Sequence, residues 1–221
     1  MYEMLVTDYI SKDFIPPKLN QTVGHGLALV NAYGLSHIPV FEGLSFAGSL
    51  SRETLSEHEP GILLSDLRDF SEFFYMTENG SLLDAVQNFH NYDTNVLTVL
   101  NAERQYLGML MMDDVISGLS TMPFISEPGA IMVVEVSQKQ FSISEIAKIA
   151  ESNNARIIGL FLTGYQDDKI RITLKLISDN LTSVGETFER FNYTVLHKFF
   201  NDEKEDLMKD RFDLLMKYLD I

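Results

Sequence analysis

The sequence predicts an α/β (α+β) protein in two parts, and three observations carry that prediction. Two stretches of the first half, QTVGHGLALVNAYGLSHIPV and GSLLDAVQNFHNYDTNVLTV, follow one plan at an offset of 59 residues, from Thr22 to Ser81. A segment bearing two prolines and a glycine, TMPFISEPG, then interrupts the chain. Beyond it the hydrophobic period changes in the order strand, helix, strand, strand, helix, strand.

The repeated elements follow from local chemistry. Thr22 and Ser81 each stand before apolar residues at helical spacing (Val23, Leu27, Val30; Leu82, Val86, Phe89), so each hydroxyl is placed to cap a helix. His37 to Phe41 and Asn95 to Leu100 are short apolar strands. Each is followed by a turn and a second strand expected to end near Gly48 or Gly108, with a helix beyond. Upstream, VTDYISKDFIPP and LSDLRDFSEFFYM correspond at an offset of 58, with Thr7-Asp8 and Ser65-Asp66 as expected caps of a short helix. GHGLAL at 24–29 lacks the third glycine of a dinucleotide fingerprint and follows a cap rather than a strand, so it reads as a helix built from poor formers.

In the second half AIMVVEVSQ is a strand rich in β-branched residues, and Ser142 with Glu145 three residues on forms the pattern of a capping box. ARIIGLFLTGYQD and KIRITLKLI read as a hairpin turning at Asp167-Asp168. The second of these strands alternates Ile170, Ile172, Leu174 and Leu176 with Arg171, Thr173 and Lys175, the pattern of a half-buried strand. LTSVGETFERFN is an amphipathic helix and YTVLHKFF the last strand, which completes a ferredoxin-like βαββαβ order. Residues 201–221 place Leu207, Phe212, Leu215, Met216 and Leu219 near one face, predicting a C-terminal helix that docks on its own domain or on a partner.

Composition excludes several classes. With 221 residues, 45% hydrophobic, the chain can bury a core for one large or two modest domains. No apolar run approaches the roughly 20 residues that span a bilayer, and the N-terminus is acidic where a secretory signal is basic, so a cytoplasmic protein without membrane contact is expected. The absence of cysteine excludes disulfides, thiolate zinc sites and cysteine nucleophiles. His25, His37, His58, His90 and His197 never flank a glutamate at i, i+4, so no metal is expected. Residues 1–128 carry 5 Lys+Arg against 17 Asp+Glu, and residues 129–221 carry 12 against 15. Without a basic stripe, nucleic acid is not an expected partner.

The first half resembles a tandem pair of CBS domains, a Bateman module, on SHIPVFEG at 36–43 and the glycine-led stretches GSLSRET at 48–54 and GMLMMDD at 108–114. The resemblance implies two repeats, about 1–58 and 59–122, whose sheets pack around a cleft for adenosyl-type ligands. It also implies a hydroxyl near phosphate and a carboxylate on ribose in the pattern G-x-x-[ST]-x-x-[DN]. Ser51 keeps the hydroxyl and Thr54 replaces the carboxylate in the first repeat; in the second, Met111 replaces the hydroxyl and Asp114 keeps the carboxylate. Asp114 is equally placed to serve the first turn of a helix, and Asp113 matches no family role. Ile15, Ile38, Pro39, Phe74 and Leu97 are placed to line purine pockets or simply the core.

After a linker at 123–129, residues 130–200 resemble an ACT domain by element order, although Gln138-Lys139-Gln140-Phe141 lacks the glycine that lets backbone approach an amino acid. The CBS-CBS-ACT order is similar to that of acetoin-utilisation accessory proteins. These readings imply a non-catalytic, homodimeric regulatory or sensor protein with no required cofactor. AMP, ADP, ATP or S-adenosylmethionine is the expected ligand class. The alternative is a structural dimerisation or interaction module whose nucleotide site has decayed. No G-x-S-x-G, P-loop or paired catalytic carboxylates suggest an enzyme.

Overall fold

Backbone donors at helix starts settle the frame of the first unit. In the computed structural model, which describes residues 4–199, the chain divides into two compact units, Met1–Thr121 and Met122–Ile221. The first runs through α1 (Val23–Tyr33), β1 (His37–Glu42), β2 (Ser45–Ser51) and α2 (Arg52–Ser56). The plan then repeats as β3 (Met76–Thr77), α3 (Leu82–Asn91), β4 (Val96–Leu100), β5 (Tyr106–Met111) and α4 (Met112–Ser120). Thr22 Oγ1 accepts from the His25 N–H at 3.3 Å to begin α1. Ser81 begins α3 with a full capping box, its Oγ accepting from the Asp84 N–H while Asp84 accepts from the Ser81 N–H. Gly34, in the left-handed conformation at φ 66°, ends α1.

The two repeats exchange strands. Ser11 and Met109 trade backbone hydrogen bonds at 2.8 and 2.9 Å, so the chain ahead of α1 lies along β5 of the other repeat. Ser49 and Glu72 do the same at 2.8 and 2.9 Å, which lays the chain ahead of α3 along β2. The crossings explain Gly48 and Gly108. A Cβ on Gly108 would sit 2.6 Å from the Ser11 carbonyl, and one on Gly48 2.8 Å from the Ser71 Cβ, with Gly48 also at φ 129°. Both glycines therefore lie inside their strands, which continue to Ser51 and Met111, and not at the strand ends expected from the sequence.

Short 3₁₀ turns at Val6–Asp8 and Leu64–Phe70 follow the same exchange. Leu64 and Leu67 pack into the core of Val23, Val30, Ile38 and Leu55, whereas Val6 packs with Leu82, Phe89, Leu97 and Val115. The expected caps, Thr7-Asp8 and Ser65-Asp66, do not cap these turns. Leu5 and Leu63 stand at the cap positions with no side-chain acceptor to offer, and the Val6 and Leu64 N–H groups are met by the backbone carbonyls of Gly80 and Gln21 at 2.9 and 2.8 Å.

In the second unit α5 (Pro123–Ser126), β6 (Ala130–Ser137), α6 (Ile143–Ser152), β7 (Arg156–Gln166), β8 (Lys169–Ile177), α7 (Leu181–Arg190) and β9 (Thr194–Phe199) follow in order. The antiparallel sheet order β7-β8-β6-β9 is the ferredoxin-like topology, an α+β fold as the sequence predicts. Asp167 and Asp168, at φ 47° and 64°, make the two-residue hairpin turn. Val134, Ile172, Leu174 and Leu176 meet Ile146, Ile149, Val184 and Phe188 of the helices in one core.

The segment read as a linker contains α5, begun by Pro123 at the first helical position and fixed by Phe124 packing on Gly159 and, at 4.3 Å, on Phe161. Lys175 Nζ, on a residue 8% exposed, donates to the carbonyls of Phe124 and Ile125 at 2.7 and 3.1 Å. The Ser142–Glu145 box is half formed: Ser142 Oγ accepts from the Glu145 N–H, but the Glu145 carboxylate accepts the Tyr193 hydroxyl at 3.0 Å. Burial, with Glu145 alongside, pushes the Tyr193 phenol up to about 12. The expected C-terminal helix at 201–221 lies outside the described residues. No helix among the described residues is long and apolar enough to cross a membrane, and none of their His, Asp and Glu side chains form a group of three placed to hold a metal.

Candidate functional site

Ser36 and Asn95 occupy equivalent places just ahead of β1 and β4, and they bind each other across the seam between the repeats. The Ser36 N–H donates to Asn95 Oδ1 at 2.8 Å and the Asn95 N–H to Ser36 Oγ at 2.9 Å; Asn95 Nδ2 also donates to the Gly34 carbonyl at 2.9 Å. Ser36 Oγ lies 3.0 Å from both Thr94 Oγ1 and His37 Nδ1. The other nitrogen of His37, a residue 6% exposed, lies 3.2 Å from Glu72 Oε1. Glu72 is thus held through its backbone by the exchanged strand and through its side chain by a buried imidazole.

A cleft of about 730 Å³ opens beside this network, lined by Gly34, Ser36, His37, Ser51, Arg52, Glu53, Ser56, Glu72, Tyr92, Asp93 and Asn95. A volume of that order suits a nucleoside-sized ligand. One wall is aromatic: Tyr92, 40% exposed, stacks on the buried Phe74 ring at 4.6 Å and an interplanar angle of 17°. Ser51 caps α2, accepting from the Thr54 N–H at 3.0 Å and donating to Thr54 Oγ1 at 2.9 Å. The Arg52 guanidinium donates to the carbonyls of Leu35 and Val30 at 3.1 and 3.2 Å, where α1 ends.

On the side of the second repeat a hollow of about 550 Å³ is lined by Val86, Phe89, His90, Met112, Val115 and Ile116, and shares Ser36, Asp93 and Asn95 with the cleft. Its character is more apolar. Met111 stands at the cap position of α4 without a side-chain bond, and Asp113 and Asp114 occupy the first turn, where negative charge suits the helix dipole.

Of the residues singled out from the sequence, Ser51 lines the cleft and Thr54 holds the Ser51 hydroxyl. Phe74 lies beneath Tyr92. Ile38 and Leu97 are fully buried in the two cores and Pro39 is buried in β1, whereas Ile15 is 82% exposed. Asp114 is half-buried on α4 and lines neither hollow. Sequence reasoning passed over Glu72, Tyr92 and Asn95. The signal for two of them was present, since the offset of 59 that defines the repeat also relates Ser36 to Asn95 and Tyr33 to Tyr92.

No family model matches the chain, and no curated protein matches it. Its structural neighbours are CBS domain pairs. It is similar to a CBS domain pair/ACT domain protein from Thermotoga maritima, at 19% identity over 52% of this chain and 96% of that one, with a TM-score of 0.47. The CBS domains of a transcriptional regulator from Streptococcus pneumoniae align at 16% identity over 51% of this chain and 97% of that one, TM-score 0.46. CBSX2 in complex with AMP aligns at 16% identity over 53% and 96% of the two chains, TM-score 0.44.

Proposed function

We propose that the chain is a non-catalytic regulatory protein whose first unit binds an adenosyl-type ligand, and that a partner reads the occupancy. The observation that carries this reading is the cleft at the repeat seam. It joins a fixed polar floor, Ser36, His37 and Asn95, to the stacked Tyr92–Phe74 wall, which offers a flat face to a purine base. Ser51 stands at the mouth of α2 with a hydroxyl that can turn from Thr54 to a ligand. We further propose that the second unit is an ACT-like domain, an order shared with acetoin-utilisation accessory proteins, and that the protein is a cytoplasmic homodimer. Leu83, Val86 and Ile116, 54%, 44% and 56% exposed on α3 and α4, offer an apolar face for pairing.

Thermal-shift measurements with AMP, ADP, ATP, S-adenosylmethionine and NAD test the ligand class. A compound that binds the native state raises Tm, by roughly 2.7 kcal/mol of stabilisation at a hundredfold excess over Kd. Tyr92→Ala should abolish the rise while leaving the fold intact, since Tyr92 is a half-exposed wall of the cleft. A flat response to every compound sinks the reading in favour of a purely structural interaction module, which the apolar face on α3 and α4 and the bond already occupying the Ser51 hydroxyl would suit.

A further inference from the structure

We infer that the ligand of the polar cleft carries positive charge and is not a phosphate ester. The inference rests on the proposal that this cleft binds an adenosyl compound, and it names the chemistry of the part beyond the ribose.

Three carboxylates, Glu53, Glu72 and Asp93, line the cleft against one guanidinium, Arg52. Arg52 is engaged. Its Nε and Nη2 donate to the Leu35 and Val30 carbonyls at the end of α1, so part of its charge is answered by the negative end of that helix. Both nitrogens of His37 are likewise taken, by Ser36 Oγ and by Glu72. The Ser51 hydroxyl donates to Thr54. A phosphate entering this space would find only the three remaining Arg52 N–H groups and a Ser51 hydroxyl that must first leave Thr54, and would meet three carboxylates it cannot pair with. Helix α2 gives it no help, being five residues long with Glu53 in its first turn.

A cation meets the opposite situation. Glu53 and Asp93 are exposed and make no ion pair among the described residues, so each is free to approach a sulfonium or ammonium group. The exposed face of Tyr92, backed by Phe74, adds a surface to which a desolvated cation is attracted.

Calorimetry on the full chain with S-adenosylmethionine, S-adenosylhomocysteine, adenosine and AMP decides the matter. The first pair shares base, ribose and amino-acid arm and differs by the methyl group that makes sulfur cationic. S-adenosylmethionine is expected to bind about fivefold more tightly or better, the scale of one partly exposed charge pair, and AMP more weakly than adenosine. Glu53→Gln and Asp93→Asn should each bring that ratio toward one; Asn tolerates the φ of 45° that Asp93 adopts. AMP binding more tightly than adenosine would show that Arg52 answers a phosphate in spite of the three carboxylates, overturning the inference while the proposed function stands. Equal binding of the sulfonium and the thioether overturns the inference in the same way. Binding of none of the four overturns the proposed function and this inference with it.

Discussion

Ser36, His37, Ser51 and Arg52 of the first repeat stand where Asn95, Val96, Met111 and Met112 stand in the second. The backbone treats the two sets alike: the Arg52 N–H donates to the Ser36 carbonyl at 2.7 Å, and the Met112 N–H to the Asn95 carbonyl at 2.9 Å. His37 pairs with Ser51 across one hairpin as Val96 pairs with Met111 across the other. The side chains diverge. In the first repeat they build a hydrogen-bonded floor and a capped helix; in the second Asn95 joins that floor, Val96 and Met111 pack into the first core, Met112 lines the more apolar hollow, and α4 is left without a side-chain cap. Equal backbones with unequal side chains mean that symmetry in this unit belongs to folding, while the cleft draws different side chains from the two repeats.

The largest effect should come from the one pair where the repeats meet as equals. Asn95→Ala removes the acceptor for the Ser36 N–H, leaving that partly buried group without a partner, and the donor to the exposed Gly34 carbonyl, and should cost about 1–3 kcal/mol in urea denaturation. Ser36→Ala removes an acceptor for the Asn95 N–H and a contact to His37, a loss of about 1–2 kcal/mol. Equal losses would show that the two positions carry the seam symmetrically after all.

A smaller effect should separate the second helices. Ser51→Ala deletes the cap of α2 and should destabilise by about 1 kcal/mol. Met111→Ser gives α4 the cap it lacks but withdraws a partly buried side chain from the first core, so its net change should stay within about 0.5 kcal/mol. A gain well above that would mean Met111 contributes little packing.

Acid should also tell the repeats apart. Hydrogen bonds from the Ser81 hydroxyl and then the Ser81 backbone hold the Asp84 carboxyl below its ordinary value of 3.8. A depressed folded pKa gives stability that is present above the unfolded value and lost as pH falls through the folded one. The start of α3 should therefore lose amide-exchange protection as pH drops below about 4, whereas α1, with His25 where α3 has Asp84, should not. Asp84→Asn should remove the difference.

What the sequence revealed and what it hid divide along the range of the interaction. Thr22 and Ser81 were readable as helix starts because a cap and its N–H lie three residues apart, and the hairpin at Asp167-Asp168 because its turn is two residues long. The exchange of Ser11 onto Met109 leaves no local period, and only the two glycines hinted that another strand passes close by. The docking of Phe124 on Gly159 is hidden for the same reason, so a helix looked like a linker. At the site, Ser51 followed from its glycine-led motif. Tyr92 and Glu72 reach the cleft from the other repeat, and nothing in the neighbourhood of Ser51 in sequence points to them.

The smallest expected effect belongs to Asp114, and it tests whether α4 takes any part in recognition. Asp114 lies in the first turn of α4, half-buried, makes no hydrogen bond or ion pair among the described residues, and lines neither hollow. Asp114→Asn removes a charge from the positive end of the helix dipole, a loss of about 0.3–1 kcal/mol at most. Affinity for whichever adenosyl compound binds the wild type should change less than twofold. A tenfold fall, about 1.4 kcal/mol, would require a direct charge-assisted bond from this carboxylate to ribose. In that event α4 would have to supply the ribose contact that α2, with Thr54 in the matching place, lacks. The two repeats would then complete one site between them, Ser51 supplying the hydroxyl and Asp114 the carboxylate, and the asymmetry described above would be a division of labour across the seam.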